Sequence, residues 1–145
     1  MSGRIVAAAR GWLGTPYVHQ ASARGAGCDC LGLLRGVWRD FQGPEPEAVP
    51  PYSPDWSEVQ HDERLWRAAR RWLHEKPLAD AGPGDVILLR MHQRAVAKHL
   101  GILAAAAPAP SFIHAYTGHG VIESALTLPW RRRIVACFAF PKGID

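Results

Sequence analysis

Cys30, His99 and His114 are the side chains of this chain whose types and placing could do nucleophilic chemistry. Cys30 follows a segment rich in Gly, Ser and Ala, from Gly14 to Gly27, and stands where a helical pattern resumes. The N-terminus of a helix carries partial positive charge, which favours the thiolate, the nucleophilic form of cysteine. A thiol needs a base to become a useful nucleophile. The strand-like run Lys98-His99-Leu100-Gly101-Ile102-Leu103 supplies one, since alternation turns His99 to the face opposite Leu100. The next run, Ser111-Phe112-Ile113-His114-Ala115, supplies a second imidazole, and neighbouring antiparallel strands could bring the two rings within hydrogen-bonding distance. Spacing alone favours a plainer account beside this one, with Cys30 a small core residue and both histidines satisfied structural groups.

The remaining cysteines and histidines offer less. Cys28-Asp29-Cys30 has a one-residue gap where structural zinc sites show two to four, and a bridge between Cys28 and Cys30 would be strained. Cys137 lies in an apolar strand and reads as core, His61 and His74 as surface residues of a charged helix, and His92 and His119 as solvent-facing turn residues. His19, close to Tyr17 in the Gly-rich loop, is expected to line a cleft.

The elements that must position these groups follow from periodicity. Ile5, Ala8, Ala9 and Trp12 mark one face of a helix over Ser2 to Leu13, stopped by Gly14-Thr15-Pro16. Leu31, Leu34, Val37, Trp38 and Phe41 mark a second helix beginning near Cys30. Gly43 to Pro54 holds five of the 12 prolines and reads as an ordered irregular crossing. A third helix is expected from Trp56 or Ser57 to Glu75, with a capping-box pattern at Ser57-Glu58-Val59-Gln60 and Leu65, Ala68, Ala69, Trp72 and Leu73 on one face. Beyond Pro83-Gly84 five strands are expected, at Asp85 to Arg90, Lys98 to Ala104, Ser111 to Tyr116, Val121 to Ala125 and Ile134 to Phe140. Helices first and an antiparallel meander second make an α+β fold, with the helices packed on one face of a sheet of about five strands.

Composition narrows the classes. At 145 residues one domain spanning 1–145 is expected, large enough to bury roughly 68–70% of its unfolded surface without metal or disulfide. The longest apolar run, Ile134 to Phe140, is far too short to span a membrane, so no membrane insertion is expected. Only five apolar residues separate Arg4 from Arg10, so no secretory signal is expected and synthesis in the cytoplasm follows. A net charge of +4 is modest, and Arg131-Arg132-Arg133 reads as a solvated strand entry, so no nucleic-acid partner is expected.

Five segments, in order, resemble the motif series of the NlpC/P60 cysteine peptidases: Gly14-Thr15-Pro16-Tyr17, Cys28-Asp29-Cys30-Leu31-Gly32-Leu33, Gly84-Asp85-Val86, His99-Leu100-Gly101-Ile102-Leu103 and Phe112-Ile113-His114-Ala115. The resemblance implies a papain-like fold in which Cys30 is the nucleophile, His99 the general base and His114 the orienting residue. It also places Tyr17 and Asp29 on the oxyanion and substrate side of the cleft, with His19 nearby, and requires no metal or cofactor. A zinc hydrolase with Cys30, His99 and His114 as ligands is the competing enzyme reading. Two departures stand out: Leu31 replaces the usual Ser, and Gln20 lies where members often have Gly.

The run from Gly14 to Glu58 further resembles the branch of the family encoded in the tail modules of phages and gene transfer agents. That implies a peptidoglycan peptidase acting on stem peptides, carried with tail tip or hub proteins to the periplasmic wall, with Gly43 to Trp56 as a docking segment. The alternatives are a structural tail-tip component with a vestigial peptidase fold, and a cytosolic amidohydrolase recycling wall peptides.

Overall fold

A computed structural model describes residues 2–46, 63–92 and 94–141. Helix α1 spans Ser2–Arg10, one turn shorter than its apolar pattern, because Gly11 to Gly14 close in turns and Gly14 has left-handed backbone. Two short strands, β1 (Ser22–Ala23) and β2 (Gly27–Cys28), pair antiparallel inside the segment expected to be loop. Helix α2 spans Cys30–Gln42 and begins at the expected residue.

The helices meet at close range. Trp12 is buried against α2 with its indole N–H donated to Asp40 Oδ2 at 3.2 Å. A Cβ on Gly36 would lie 1.9 Å from the Trp12 ring, so only glycine admits that crossing.

Helix α3 covers Arg64–Trp72, burying Leu65 and Ala69, and Leu73 follows it in extended backbone. The expected helix ran on to Glu75; instead β3 (His74–Lys76) forms there. Pro77 follows directly and disfavours helical backbone at Lys76, so the polar tripeptide pairs as a short charged edge strand. The expected helix start at Trp56 or Ser57, its capping box, His61 and most of the crossing to Trp56 lie outside the described residues.

The main sheet has six strands in the order β3-β8-β4-β5-β6-β7, all neighbours antiparallel. Here β4 is Val86–Arg90, β5 Ala97–Ala105, β6 Ser111–Tyr116, β7 Gly120–Ala125 and β8 Ile134–Ala139. The expected simple meander holds for β4 to β7 only. A short helix, α4 (Leu128–Arg131), leads β8 back across to pair with β4 on its far side. Alternation then divides the core. Val86, Leu88, Leu100, Ile102, Ile113 and Phe138 pack in one cluster with residues of α1, α2 and α3. Ile87, Leu89, Leu103 and Phe112 form the opposite cluster, covered by Leu126, Trp130 and Ile134.

Candidate active site

Local sequence explains why α2 begins at Cys30. Asp29 is its N-cap, with one carboxylate oxygen accepting the Gly32 N–H at 2.7 Å and the other the Gln20 N–H at 2.7 Å. A Cβ on Gly32 would fall 1.8 Å from the Ala21 carbonyl oxygen, so the loop lies tight over the first turn. Both Asp29 oxygens thus hold backbone, and an acceptor-only group has no hydrogen to offer an oxyanion. The geometry makes Asp29 a positioning residue under the cysteine, and an ionised carboxylate there cannot donate to an oxyanion.

Gln20 adopts φ 65°, the left-handed backbone that favours glycine. A glutamine in this backbone conformation therefore has a conformational cost. His19 is half-buried beside it, with Nδ1 3.8 Å from Asp29 Oδ2 and Nε2 3.2 Å from Gln20 Nε2.

Cys30 abuts the opening of the sheet. The β5/β6 register runs from Ala105 and Ser111 to Ile102 and Ile113, and the thiol lies against β5 beyond that point. Its Sγ is 3.5 Å from the carbonyl oxygen of Lys98, the residue preceding His99. Burial pushes the thiol up to about 12, with the charge of Asp29 adding to the effect and the backbone N–H of Leu100 opposing it. Burial thus works against the thiolate that the helix N-terminus favours. Cys28 and Cys137 are fully buried free thiols, pushed up to about 12 and about 11 by burial first.

The two histidines are joined directly, His99 Nε2 lying 2.9 Å from His114 Nδ1 with the rings edge to face. Both are buried. Burial lowers His99 to about 3, helped by His114 and by the positive charge of Arg133, and lowers His114 to about 4, helped by His119. Both rings are neutral at rest.

Tyr17 is half-buried, and its backbone bridges that of Cys28. Burial raises its phenol, the charge of a Cys30 thiolate raises it further, and a hydrogen bond with Thr117 opposes both. The phenol keeps its proton beside the cysteine and remains a donor.

Several surrounding residues carried no signal in the sequence reading. His114 Nε2 meets Ser124 Oγ at 2.9 Å, a contact that requires the β6/β7 register. Trp130 of α4 stacks on His99 at 6.1 Å and meets His114 edge-on at 5.1 Å. Arg133 lies 5.2 Å over the Trp130 ring, so it is a packed member of the triple-arginine run while Arg131 and Arg132 are exposed. Tyr116 sits 6.1 Å from His99, and the exposed His119 stacks on Tyr116 at 5.3 Å. Only Tyr116 could have been found, through its alternation with Phe112 and His114. Among the described residues no three His, Cys, Asp or Glu side chains are grouped to hold a metal.

No family model and no curated protein matches this sequence. Solved structures do match. A lipoprotein-like NLP/P60 family protein of Staphylococcus aureus superposes with TM-score 0.63 at 17% identity, covering 98% of this chain and 42% of its own. An NlpC/P60 family protein of Bacillus cereus superposes with TM-score 0.67 at 16% identity, covering 97% of this chain and 40% of its own. The chain thus spans about two fifths of the length of either structure, and over that length it has the α+β fold of the NlpC/P60 proteins.

Proposed function

We propose that this chain is a cysteine peptidase that cleaves amide bonds in peptidoglycan stem peptides through a thioester on Cys30. The observation that carries the reading is the thiol at the start of α2 lying against the His99 end of β5, with His99 backed by His114. Nε2 of His99 is engaged with His114, which leaves Nδ1 for the thiol proton. As that proton moves to Nδ1, Sγ attacks the carbonyl carbon, and the oxyanion that forms accepts hydrogen bonds from the Cys30 backbone N–H and the Tyr17 phenol. Collapse breaks the C–N bond, and the leaving amine takes the proton from His99. Water then gives a proton to His99 and attacks the thioester, releasing a carboxylate and restoring the thiol. With both groups neutral, His99 can act as the base only in the tautomer that leaves Nδ1 without a proton. The chemistry calls for no metal or cofactor.

The test is digestion of purified peptidoglycan by the wild-type and Cys30→Ala proteins, with mass spectrometry of the released fragments. New stem-peptide termini from the wild type alone support the reading. Equal products from both proteins, or activity abolished by chelator, would overturn it, the second outcome in favour of zinc.

The setting is proposed on the wording from Gly14 to Glu58: carriage in a phage-like tail, with tail tip or hub proteins as partners and the periplasmic wall as the place of action. Recovery of the protein from purified particles tests this, and its presence only in the free cytosolic fraction would favour the amidohydrolase alternative.

A further inference from the structure

Two hydrogen bonds in series leave the candidate base, from His99 Nε2 to His114 Nδ1 and from His114 Nε2 to Ser124 Oγ, each 2.9 Å long. An imidazole pair of this kind can be satisfied in two directions. In one, Ser124 donates to His114, His114 donates to His99, and His99 carries its proton on Nδ1, where it cannot accept one from a thiol. In the other, His99 donates to His114, His114 donates to Ser124, and Nδ1 of His99 keeps its lone pair. Once His99 has taken a proton both its nitrogens are donors, so the second direction is the only one open to the reacting state. It requires an acceptor for the Nε2–H of His114, a ring with no exposed surface.

We propose that Ser124 is a positioning residue that accepts this hydrogen bond and thereby sets the tautomer of both histidines, keeping Nδ1 of His99 free to receive the thiol proton. This rests on the peptidase reading for its kinetic consequence and on geometry alone for the tautomers. Ser124 is well placed for the role. It is half-buried, and with Pro110, Ser111, Ala125 and Thr127 it also lines an open groove. Serine is also a weaker director than a carboxylate, since a hydroxyl is donor and acceptor at once. The relay is therefore sensitive to what occupies position 124.

The test combines a spectroscopic and a kinetic measurement on wild type, Ser124→Ala and Ser124→Thr. Imidazole 15N shifts of the substrate-free protein should show His114 protonated on Nε2 in wild type and in Ser124→Thr, with Nδ1 protonation gaining population in Ser124→Ala. On peptidoglycan fragments, Ser124→Ala should lower kcat on the order of tenfold or more with KM unchanged, since a wrong tautomer one step nearer the nucleophile costs about 10⁴ in a serine protease. Ser124→Thr should restore most of the loss. An unchanged His114 tautomer in Ser124→Ala, or a tautomer shift with kcat intact, overturns the proposal, as does Nδ1 protonation of His114 in wild type. Should the wild type cleave no peptidoglycan, the peptidase reading falls and the 15N measurement still decides the tautomer assignment.

Discussion

The two faces of β5 and β6 are built from alternate residues of the same strands and differ completely in character. Leu100, Ile102, Ile113 and Ala115 pack with the three larger helices in an all-apolar core. On the other face His99, His114 and Tyr116 stand among Phe112 and Trp130, the two histidines joined by a hydrogen bond and His114 bonded on to Ser124. One face holds shape through area and the other holds two imidazoles in register. The contrast teaches that a one-residue step along a strand separates packing residues from imidazoles, with Cys30 meeting them from the helix side, and that substitution can test how cleanly.

The largest expected effect lies at the site. Cys30→Ala and His99→Ala should each lower cleavage on the order of 10⁴-fold or more. The cysteine variant should keep the wild-type melting temperature, while His99→Ala, which leaves His114 Nδ1 unpaired, should cost about 1–3 kcal/mol of stability. The helix-side counterpart is Ile102→Ala, which should cost about 2–5 kcal/mol in denaturant melts yet leave kcat of the folded fraction close to wild type. Loss of kcat in the folded Ile102→Ala protein would break the separation of faces.

His114→Asn sharpens the comparison, because the Asn carbonyl oxygen can still accept from His99 Nε2. It should retain a measurable part of the rate. It should also flatten the acid side of the stability profile. A histidine lowered on folding binds its proton more readily when unfolded, so stability is fully present above about pH 6.5 and is lost as pH falls toward about 4 for His114 and about 3 for His99. Each histidine contributes a slope of up to about 1.4 kcal/mol per pH unit in that window. Thermal melts from pH 7 to pH 4 should show the variant losing less than wild type, and equal slopes would mean His114 is protonated in the folded protein.

Two smaller effects concern the loop and the thiol. Gln20→Gly should relieve left-handed strain and raise stability by about 1 kcal/mol or less, since glycine's own entropy offsets part of the gain. Limiting iodoacetamide should label half-buried Cys30 before the buried Cys28 and Cys137, slowly at neutral pH and faster as pH rises. Fast labelling near pH 6 would show that His99 holds the thiol proton at rest.

Much of the fold was legible because its signals are local. Helical spacing located α1 and the start of α2, and apolar alternation located β4 to β8 within a residue or so at each end. The end of α3 was not legible, since Trp72 to Glu75 continues a helical face and only pairing with β8 makes His74–Lys76 a strand. The return of β8 beside β4 was hidden for the same reason: strand order depends on which edges meet, and no short-range pattern encodes it.

For the candidate site, the sequence by itself determined residue types and faces: a cysteine at a helix start, and two histidines on neighbouring strands. Tertiary structure decided what those groups are. Burial pushes the Cys30 thiol up where the helix N-terminus alone argued for a thiolate, because desolvation acts through everything packed around a group. It also decided their surroundings. Ser124 and Trp130 reach the histidines across β7 and from α4, by contacts whose partners are 10 or more positions away in the chain. Such contacts exist only once the sheet has set its register.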